Sequence, residues 1–598
     1  MIELIVTSRL SDKTPHIDQR TEIYINRCLS PSEKNFIKEK SLKRLYLRSL
    51  SENEQENFFD QFTVFWDGLV KPFPSDHVFW RNSISSKMQE WERSAGYLAI
   101  ALFTLQCMHK EKNHRIVVVP ESLQEREIWI TWAKKHEWTI LHHDSNRADW
   151  LKNIFQEAQN IFRFGASSFL CLKQKWFTPV FKAVPAPEEK TFLIISLFYS
   201  WSFRDGQYLD PFFGNLHHFL KEQGYQAAYL SDSLELMNPK LAQDMKNCQD
   251  VEIHAPDALV SWPAFLQLLC SVFFRRIKIW EAPFCGCDFS SLLEWNARRW
   301  PHEFNLKAEI YHAAVSKLTK TYDFKRMILI FEGNAFERGC LQAICSREIQ
   351  TTGYSHGVIF NLNLKLYRTP QEVLNKPSVD RLIFTGDNPW MLFSKMGKQD
   401  PAKSDIGCSL RDIPVGQIDL SVDWAGRDKL QEKYILLALD GFWSSAHLLD
   451  WFAEQAHVFK EHKVILRTHP HVGLSQIQKR CLHQMPSNFE LSQNSLQKDL
   501  QRSYCVLYRH TSIGIQAWLN GVPAIHINVN CPLSGDALVE FNKGDLIAGS
   551  AQELQKSIEM LRNLNENQRR ELIEKARGFV ADYFASPTNE RLNHFIRI

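Results

Sequence analysis

The stretch Lys463-Val464-Ile465-Leu466-Arg467-Thr468-His469-Pro470 decides how the fold of this chain is interpreted. Its apolar first half is typical of a buried parallel strand. Pro470 cannot donate a hydrogen bond to a neighbouring strand, so the strand has to end before it and leave His469 at its carboxyl end. In open α/β sheets, ligands bind in the crevice outside these strand ends. The sequence therefore predicts a ligand-binding edge around Arg467, His469 and Pro470.

A second apolar run, Tyr504-Cys505-Val506-Leu507-Tyr508, leads into Arg509-His510-Thr511-Ser512 about forty residues later. A helix over 513–520 and a strand over 522–527 are predicted to follow. Hydroxyl groups at a strand end, with a helix amino terminus behind them and an imidazole on the neighbouring strand, suit a phosphate group. His469, His510, Thr511 and Ser512 are therefore candidate phosphate-binding residues. The alternative is two ordinary strand-end loops with capping hydroxyls.

The first strand of the same block, Tyr434-Ile435-Leu436-Leu437-Ala438-Leu439, ends at Asp440-Gly441. In a nucleotide-binding half the first loop after a strand commonly contacts phosphate or sugar, so Asp440 and Gly441 join the candidate set. The chain has neither GxGxxG after this strand nor GxxxxGK[ST] anywhere. This argues against dehydrogenases and P-loop kinases.

Length and composition limit the possible classes. A chain of 598 residues predicts two to four domains at about 150 residues each. The net charge of +3 does not support a nucleic-acid partner. The thirteen cysteines show no zinc spacing, and no DxD-like motif stands in a convincing loop, so we expect no metal and no cofactor.

Alternation of strand and helix patterns predicts an α/β protein with four parts. We expect an amino-terminal α/β region (1–185), a first Rossmann-like domain (186–400), a second Rossmann-like domain (401–550) and closing helices (551–598). The opening Met1-Ile2-Glu3-Leu4-Ile5-Val6 is expected to be a strand and not a signal peptide, which favours the cytoplasm.

Three residues of the first half could carry chemistry. Glu332 follows the strand predicted over 327–331, where a carboxylate could act as general base; the alternative is a turn or capping carboxylate. Glu337 lies inside the helix predicted from Ala335 and is the second candidate acid; the alternative is that it pairs with Arg338 or with a neighbouring turn. His356 ends the next strand before Gly357, which permits close backbone approach.

Two further segments have two interpretations each. The loop 210–215, preceded by Tyr199 and Trp201, suits stacking against sugar rings but equally a helix cap and core. The uncharged run 258–274 is too short to span a bilayer, and the basic-aromatic run 274–280 follows it. They are either a buried helix and strand or a patch that inserts aromatic side chains into anionic lipid.

The series Phe331-Glu332-Gly333-Asn334, Gly353-Tyr354-Ser355-His356-Gly357, Arg467-Thr468-His469-Pro470 and His510-Thr511-Ser512 resembles bacterial surface-carbohydrate biosynthesis proteins. These are similar in turn to GT-B sialyltransferases, polysialyltransferases and Kdo transferases with an HP motif. The resemblance implies a GT-B fold, with an acceptor-side Rossmann-like domain (186–400) and a nucleotide-sugar-binding Rossmann-like domain (401–550) facing a cleft. It implies Glu332 as the acidic catalytic residue, His469 as the phosphate-binding histidine, and Thr511 and Ser512 as phosphate-binding hydroxyls. Sialyltransferases usually carry two acidic residues before the glycine, whereas Phe331 precedes Glu332 here.

The resulting expectation is a metal-independent glycosyltransferase of surface polysaccharide biosynthesis, such as lipopolysaccharide or capsule. The donor would be a CMP-activated ulosonic or nonulosonic acid, and the acceptor a glycan or a lipid-linked glycan at the cytoplasmic face of the inner membrane. The alternatives are a UDP-sugar transferase, a CDP-glycerol-type phosphotransferase, and a non-catalytic carbohydrate-binding subunit of an export complex.

Overall fold

The computed structural model describes residues 3–597 with gaps. The gaps are 8–13, 15–16, 18–20, 26–29, 41, 88–94, 109–114, 121, 144–148, 178–190, 205, 234–237, 249, 300–301, 362, 376, 396–399, 412–433, 442–444, 470–471 and 543. The candidate Pro470 and most of the polar stretch between the two predicted halves lie outside the described residues.

Three parallel sheets and two short antiparallel hairpins make up the described strands. The strands are β1 Glu3–Val6, β2 Thr21–Ile25, β3 Lys43–Arg44, β4 Arg115–Val119, β5 Thr139–His143, β6 Thr191–Phe198, β7 Phe203–Arg204, β8 Gln207–Tyr208, β9 Gln226–Ser233, β10 Glu252–His254, β11 Pro283–Phe284, β12 Cys287–Asp288, β13 Phe324–Ile330, β14 Gln350–Ser355, β15 Arg381–Phe384, β16 Ser404–Ile406, β17 Tyr434–Ala438, β18 Lys463–Arg467, β19 Phe489–Leu491, β20 Ser503–Tyr508, β21 Ala524–Ile527 and β22 Ile547–Ala548.

The helices lie between the strands and after them. Many begin at a side chain that accepts a hydrogen bond from the first turn, as Ser51 and Ser550 do. They are α1 Pro31–Glu39, α2 Glu52–Val70, α3 Ala95–Met108, α4 Leu123–Lys135, α5 Asp149–Phe177, α6 Leu216–Glu222, α7 Pro239–Asn247, α8 Pro256–Leu259, α9 Trp262–Phe274, α10 Ser290–Arg299, α11 His302–Thr321, α12 Ala335–Ile344, α13 Pro370–Leu374, α14 Asp387–Lys395, α15 Ser445–Glu454, α16 Leu474–Gln478, α17 Leu496–Arg502, α18 Ile513–Leu519, α19 Ala551–Asn563, α20 Glu566–Tyr583 and α21 Asn589–Leu592.

Two of the sheets are Rossmann-like. The first has the order β10-β9-β6-β13-β14-β15-β16 and the second the order β19-β18-β17-β20-β21-β22, with parallel pairing throughout. Their central strands are buried along their length, because helices cover both faces of each sheet. The first sheet extends to Ile406, beyond the boundary predicted at residue 400, because β16 pairs with β15.

The carboxyl edges of these two sheets face each other. Phe360, in the loop after β14, stacks on His510, after β20, with ring centroids 6.1 Å apart. The carboxyl-terminal helices return to the first unit: Asn388 donates to the Phe579 carbonyl and Thr385 to the Tyr583 carbonyl. Two Rossmann-like units that face a cleft, with terminal helices that cross back, are the GT-B arrangement. The predicted fold class is confirmed.

The amino-terminal sheet has the order β3-β2-β4-β1-β5 and contacts both other units. Towards the second unit, Arg44 pairs with Asp450 at 2.9 Å, and the Leu47 amide donates to Asn530. Towards the first, helix α2 accepts a hydrogen bond at Asp67 from the Gln371 amide. The amino-terminal region is thus part of the same packed body.

The uncharged run 258–274 contains helix α9, which begins at Trp262 after the short helix α8. Phe265 and Val272 are buried, whereas Trp262 and Phe274 are exposed, so one side of the helix packs and the other does not. Within the described residues, no helix combines the length and the apolar composition that crossing a membrane requires.

Candidate active site

Glu332 lies directly after β13, at the carboxyl edge of the first Rossmann-like sheet. The chain turns there at Gly333, whose φ of +80° is unfavourable for any other residue. A side chain at Gly333 would also collide with the Lys365 carbonyl oxygen, 2.2 Å from the position of a Cβ atom. The glycine therefore fixes where the Glu332 side chain leaves the sheet.

The Glu337 carboxylate fixes the backbone of the loop that carries Glu332. One of its carboxylate oxygens accepts hydrogen bonds from the backbone N–H groups of Glu332, Gly333 and Asn334, at 2.8–2.9 Å. The other oxygen accepts from the Asn334 amide at 2.9 Å. Glu337 is fully buried, so the structure places it behind the site and gives it a positioning contact to Glu332.

The Glu332 carboxylate points into the cleft with 42% of its side chain exposed. His356 Nε2 lies 3.5 Å and Lys365 Nζ 3.9 Å from its oxygens, and Asn334 donates at 3.4 Å. Burial opposes the charged form and is the largest single influence, whereas Lys365, His356, the Asn334 side chain and Arg411 favour it. Together they hold the pKa of Glu332 below its ordinary value. Glu332 is therefore a carboxylate at neutral pH.

The two neighbouring carboxyl groups differ in pKa. Burial raises the pKa of Glu337 to about 7, and the negative charge of Glu332 adds to the shift. The backbone donors around Glu337 work in the opposite direction but do not cancel it. Two adjacent carboxyl groups whose environments separate their pKa values are a recurrent arrangement of acid-base sites.

His356 completes the first half of the site as a neutral imidazole. Burial lowers its pKa to about 4, and the nearby Arg411 guanidinium contributes. Its ring packs against Phe212 with centroids 4.5 Å apart, and the Arg411 guanidinium lies 4.9 Å from the centroid of the same phenylalanine ring. Among the described residues, the buried Nδ1 of His356 has no hydrogen-bond partner.

In the second half, Asp440 occupies the centre of a buried network. It follows the middle strand β17 and accepts hydrogen bonds from the Arg509 guanidinium at 2.9 and 3.2 Å and from Ser445 at 2.6 Å. Burial alone would raise the pKa of Asp440, but Arg509 and His510 hold it well below its usual range. Asp440 and Arg509 are both inaccessible to solvent. They therefore lie beneath the strand-end residues that face the cleft and fix their positions.

His510 belongs to this network. Its Nδ1 lies 3.4 Å from Asp440 and its Nε2 3.2 Å from the Cys531 sulfur. The ring fits against Gly535, where a Cβ atom would lie 1.6 Å from it, and burial lowers its pKa to about 4. Both ring nitrogens thus have protein partners, so a ligand would touch the carbon face of His510 and not its polar atoms.

Thr511, Ser512 and His469 lie at the more open part of the same edge. The two hydroxyl residues are half-buried and come immediately before helix α18, as predicted. The His469 ring lies against Gly441, 3.0 Å from where a Cβ atom would be. Arg467 is turned away: it pairs with buried Asp499 at 2.8 Å and donates to the Asn494 carbonyl.

Sequence reasoning missed three charged residues of this region. Lys365 comes from the loop after β14, and Arg411 from the segment after β16. Neither residue follows a strand directly. A search for polar residues at the carboxyl ends of strands therefore could not identify them. Arg509 stood within a quoted motif but was not given a role; its position directly after the apolar strand β20 was a signal that could have identified it.

Asp210 acts as a turn residue. It accepts hydrogen bonds from the amides of Phe212 and Phe213 and from the Tyr208 hydroxyl, each at 2.8 Å. Tyr199 and Trp201 stack on each other at 5.7 Å, and Trp201 is partly exposed. The carboxylate thus serves as a cap, while the aromatic pair remains accessible.

Within the described residues, one group of side chains could hold a metal ion: His217, His218 and Asp250. The members already bond to protein atoms. Asp250 accepts from the Tyr208 amide at 3.0 Å and from the Cys248 thiol at 2.9 Å, and Tyr229 lies 3.4 Å from His217. These contacts explain the buried polar atoms without an ion.

No known protein family and no curated protein sequence matches this chain. Solved structures with partial similarity include a glycosyltransferase from Rickettsia africae, at 12% identity and a TM-score of 0.38, covering 69% of this chain and 97% of that one. MurG from Acinetobacter baumannii has 12% identity and a TM-score of 0.35 (68% and 98% coverage). Trehalose 6-phosphate synthase from Burkholderia multivorans has 10% identity and a TM-score of 0.39, and the match covers 69% of this chain and 96% of that one. Similarity this low does not assign the chain to any of them.

Proposed function

We propose that this protein is a glycosyltransferase that moves a sugar from a nucleotide-activated donor to a hydroxyl group of a glycan acceptor. The observation that carries the proposal is the pair of polar strand-end clusters on opposite sides of one cleft. An ionised carboxylate, Glu332, lies on one side, and the hydroxyls of Thr511 and Ser512 lie on the other with His469. The Phe360–His510 contact brings the two edges together.

In this proposal the donor lies against the second unit. Thr511, Ser512 and His469 would donate hydrogen bonds to its phosphate groups, which stabilises the negative charge of the leaving nucleotide. The buried Asp440–Arg509 pair supports this surface from below. We propose that the charge is neutralised by protein groups without a metal; unchanged turnover in excess EDTA would agree with this.

The acceptor lies against the first unit. Glu332 is proposed as the general base that removes the proton of the attacking hydroxyl. The neighbouring cations lower its basicity, so its role depends on a substrate that displaces Lys365 or on the strong hydrogen bond formed in the transition state. A neutral His356 beside it can share that proton through its Nε2 atom.

The donor is proposed to be a CMP-linked ulosonic or nonulosonic acid, because the ordered acidic-glycine, histidine-proline and hydroxyl motifs resemble enzymes that use such donors. A UDP-sugar is the first alternative, and a CDP-glycerol donor the second. Surface polysaccharide synthesis at the cytoplasmic face of the inner membrane belongs to the same proposal.

Thermal unfolding with CMP, UDP and CDP tests the nucleotide site, because a bound ligand raises the midpoint. We expect one nucleotide to stabilise the protein, and His469→Ala to weaken its binding about ten- to hundredfold, the effect of losing one charge-assisted hydrogen bond. His457→Ala, at an exposed histidine of the same unit, is the matched control. A protein stabilised by none of the nucleotides would favour the non-catalytic alternative and contradict the proposal.

A further inference from the structure

Helix α5 has apolar side chains on its outer face as well as on its inner face. Cys171 and Leu172 pack against a small core together with Phe265 of α9 and Leu306 of α11. On the opposite side, Phe162, Phe169 and Trp176 are 67–79% exposed. A stripe of large apolar side chains on a helix is normally covered by another part of the protein or by a partner. The outer face of α5 therefore has the composition of a buried surface.

The exposed apolar surface continues onto the neighbouring helix. Trp176 lies 6.3 Å from Trp262 at the start of α9, and Phe164 lies 4.7 Å from Phe273 near its end. Phe274 and Trp280 are both 71% exposed. We call this continuous surface the α5–α9 face. It is defined by eight exposed residues: Ile161, Phe162, Phe169, Trp176, Trp262, Leu266, Phe274 and Trp280.

The charges within the two segments that form this face are all positive, and Glu157, Asp257 and Glu281 lie at their ends. Residues 158–177 and 258–280 contain six lysine and arginine residues and no aspartate or glutamate, although the whole chain has 71 basic and 68 acidic residues. Arg275 is paired with Glu309 at 2.5 Å and the exposed Lys278 with Glu294 at 3.4 Å, whereas Arg276 and Lys173 are exposed. Cations and tryptophans around an apolar surface are the side chains that favour the interface of an anionic bilayer.

We propose that the α5–α9 face is a docking surface for an anionic lipid bilayer, which it enters to the depth of its aromatic side chains without crossing it. The charge argues against the main competing occupant, a second copy of the chain. A two-fold contact would bring the same cations against each other, which costs free energy. Anionic lipid headgroups instead supply the opposite charge.

The docking face lies beside the proposed acceptor side of the cleft. Gln174 of α5 contacts Asp232 at the carboxyl end of β9, and Lys175 donates to the carbonyls of Asp257 and Val260, just after β10. Glu332 follows β13, two strands further along the same sheet edge, or about 10 Å at the usual strand spacing. If the proposed function is correct, this placement presents the acceptor side to a lipid-linked glycan. The docking itself does not depend on that function.

Vesicle flotation with the full-length protein tests the docking surface. We expect binding to vesicles of equal amounts of phosphatidylcholine and phosphatidylglycerol, and much weaker binding to phosphatidylcholine alone. Phe162→Glu/Phe169→Glu should reduce binding about tenfold or more, since it removes two large apolar side chains from the interface. Arg276→Glu/Lys278→Glu should also reduce binding, with a smaller effect in high salt.

The matched control is Val64→Glu/Leu374→Glu, two exposed apolar residues outside the α5–α9 face. It should bind vesicles as the wild type does. Absence of binding to the anionic vesicles, equal loss in the control, or a wild-type dimer that Phe162→Glu/Phe169→Glu converts to a monomer would each overturn the proposal. Nucleotide-induced stabilisation, measured on the same variants, should be unchanged; its absence in the wild type would contradict the glycosyltransferase proposal alone.

Discussion

At the scale of single residues, Glu332 and Glu337 show how one loop separates two carboxyl groups by environment. Glu332 is solvent-accessible and surrounded by Lys365, His356 and Asn334, whereas Glu337 is enclosed by backbone N–H groups. The pKa of Glu332 is lowered, which keeps it ionised, whereas the pKa of Glu337 is raised to about 7. Only Glu332 can reach a ligand without unfolding the loop.

Glu332→Gln should lower transferase turnover about 10²- to 10⁴-fold, because the amide keeps the shape of the side chain but cannot accept the proton. Nucleotide affinity should stay within about twofold, since Glu332 lies in the unit opposite the proposed phosphate site. The measurement is turnover and nucleotide affinity on the same preparation. A variant that retains more than about a tenth of the activity would move the role to His356.

The rule that polar residues after parallel strands form the site predicted the positions of the candidate residues only in part. The strand ends at which Glu332, His356, His469 and the hydroxyl pair were expected are those of the structure, because parallel strands bring their carboxyl ends to one edge. The rule could not show that the His510 nitrogens face inward, since that orientation depends on Cys531 and Gly535, about twenty residues away in sequence. The direction of Arg467 likewise depends on a distant partner, Asp499.

At the scale of elements, the turn after β13 depends on Gly333. An alanine there would have to adopt a φ near +80° and would meet the Lys365 carbonyl, so the turn must change shape. Gly333→Ala should cost about 1–3 kcal/mol of local strain and move Glu332, which lowers turnover with little change in nucleotide affinity. Steady-state kinetics together with nucleotide-induced thermal shifts measure this.

Gly357→Ala is the matched control for that experiment. A Cβ atom at Gly357 would lie 3.6 Å from the Glu332 carboxylate, an ordinary van der Waals distance, and its backbone needs no positive φ. Its turnover should stay close to that of the wild type. Equal losses in the two variants would show that crowding around Glu332, and not the shape of the turn, determines activity.

The strands with long apolar runs were predicted within one to three residues, because burial on both faces leaves an uninterrupted signal in sequence. β13, predicted over 327–331, begins at Phe324, and β21, predicted over 522–527, begins at Ala524. β16 was missed, since Ser404-Asp405-Ile406 has only three residues and two of them are polar. The predicted closing helices are confirmed as α19 and α20.

At the scale of the whole molecule, buried ion pairs tie the amino-terminal region to both Rossmann-like units. Arg44→Met removes the cation that pairs with Asp450 and leaves a buried carboxylate, which should cost about 3–5 kcal/mol. Arg48→Met is the matched control, because the Arg48–Glu54 pair is partly exposed and worth about 0–1 kcal/mol.

Thermal unfolding of both variants by circular dichroism measures the difference. The midpoint should fall clearly in Arg44→Met and hardly in Arg48→Met. Equal midpoints would mean that the Arg44–Asp450 pair contributes little to holding the two units together.

The contact between the Leu47 amide and Asn530 joins residues 483 positions apart. During translation at about 5–20 residues per second, segment 44–51 is made roughly 25–100 s before its partner exists. Through that interval Leu45, Leu47 and Leu50, all buried in the finished protein, have no complete surface to pack on. A chaperone that binds the nascent amino-terminal region would fill that interval, and the yield of active protein should depend on its supply.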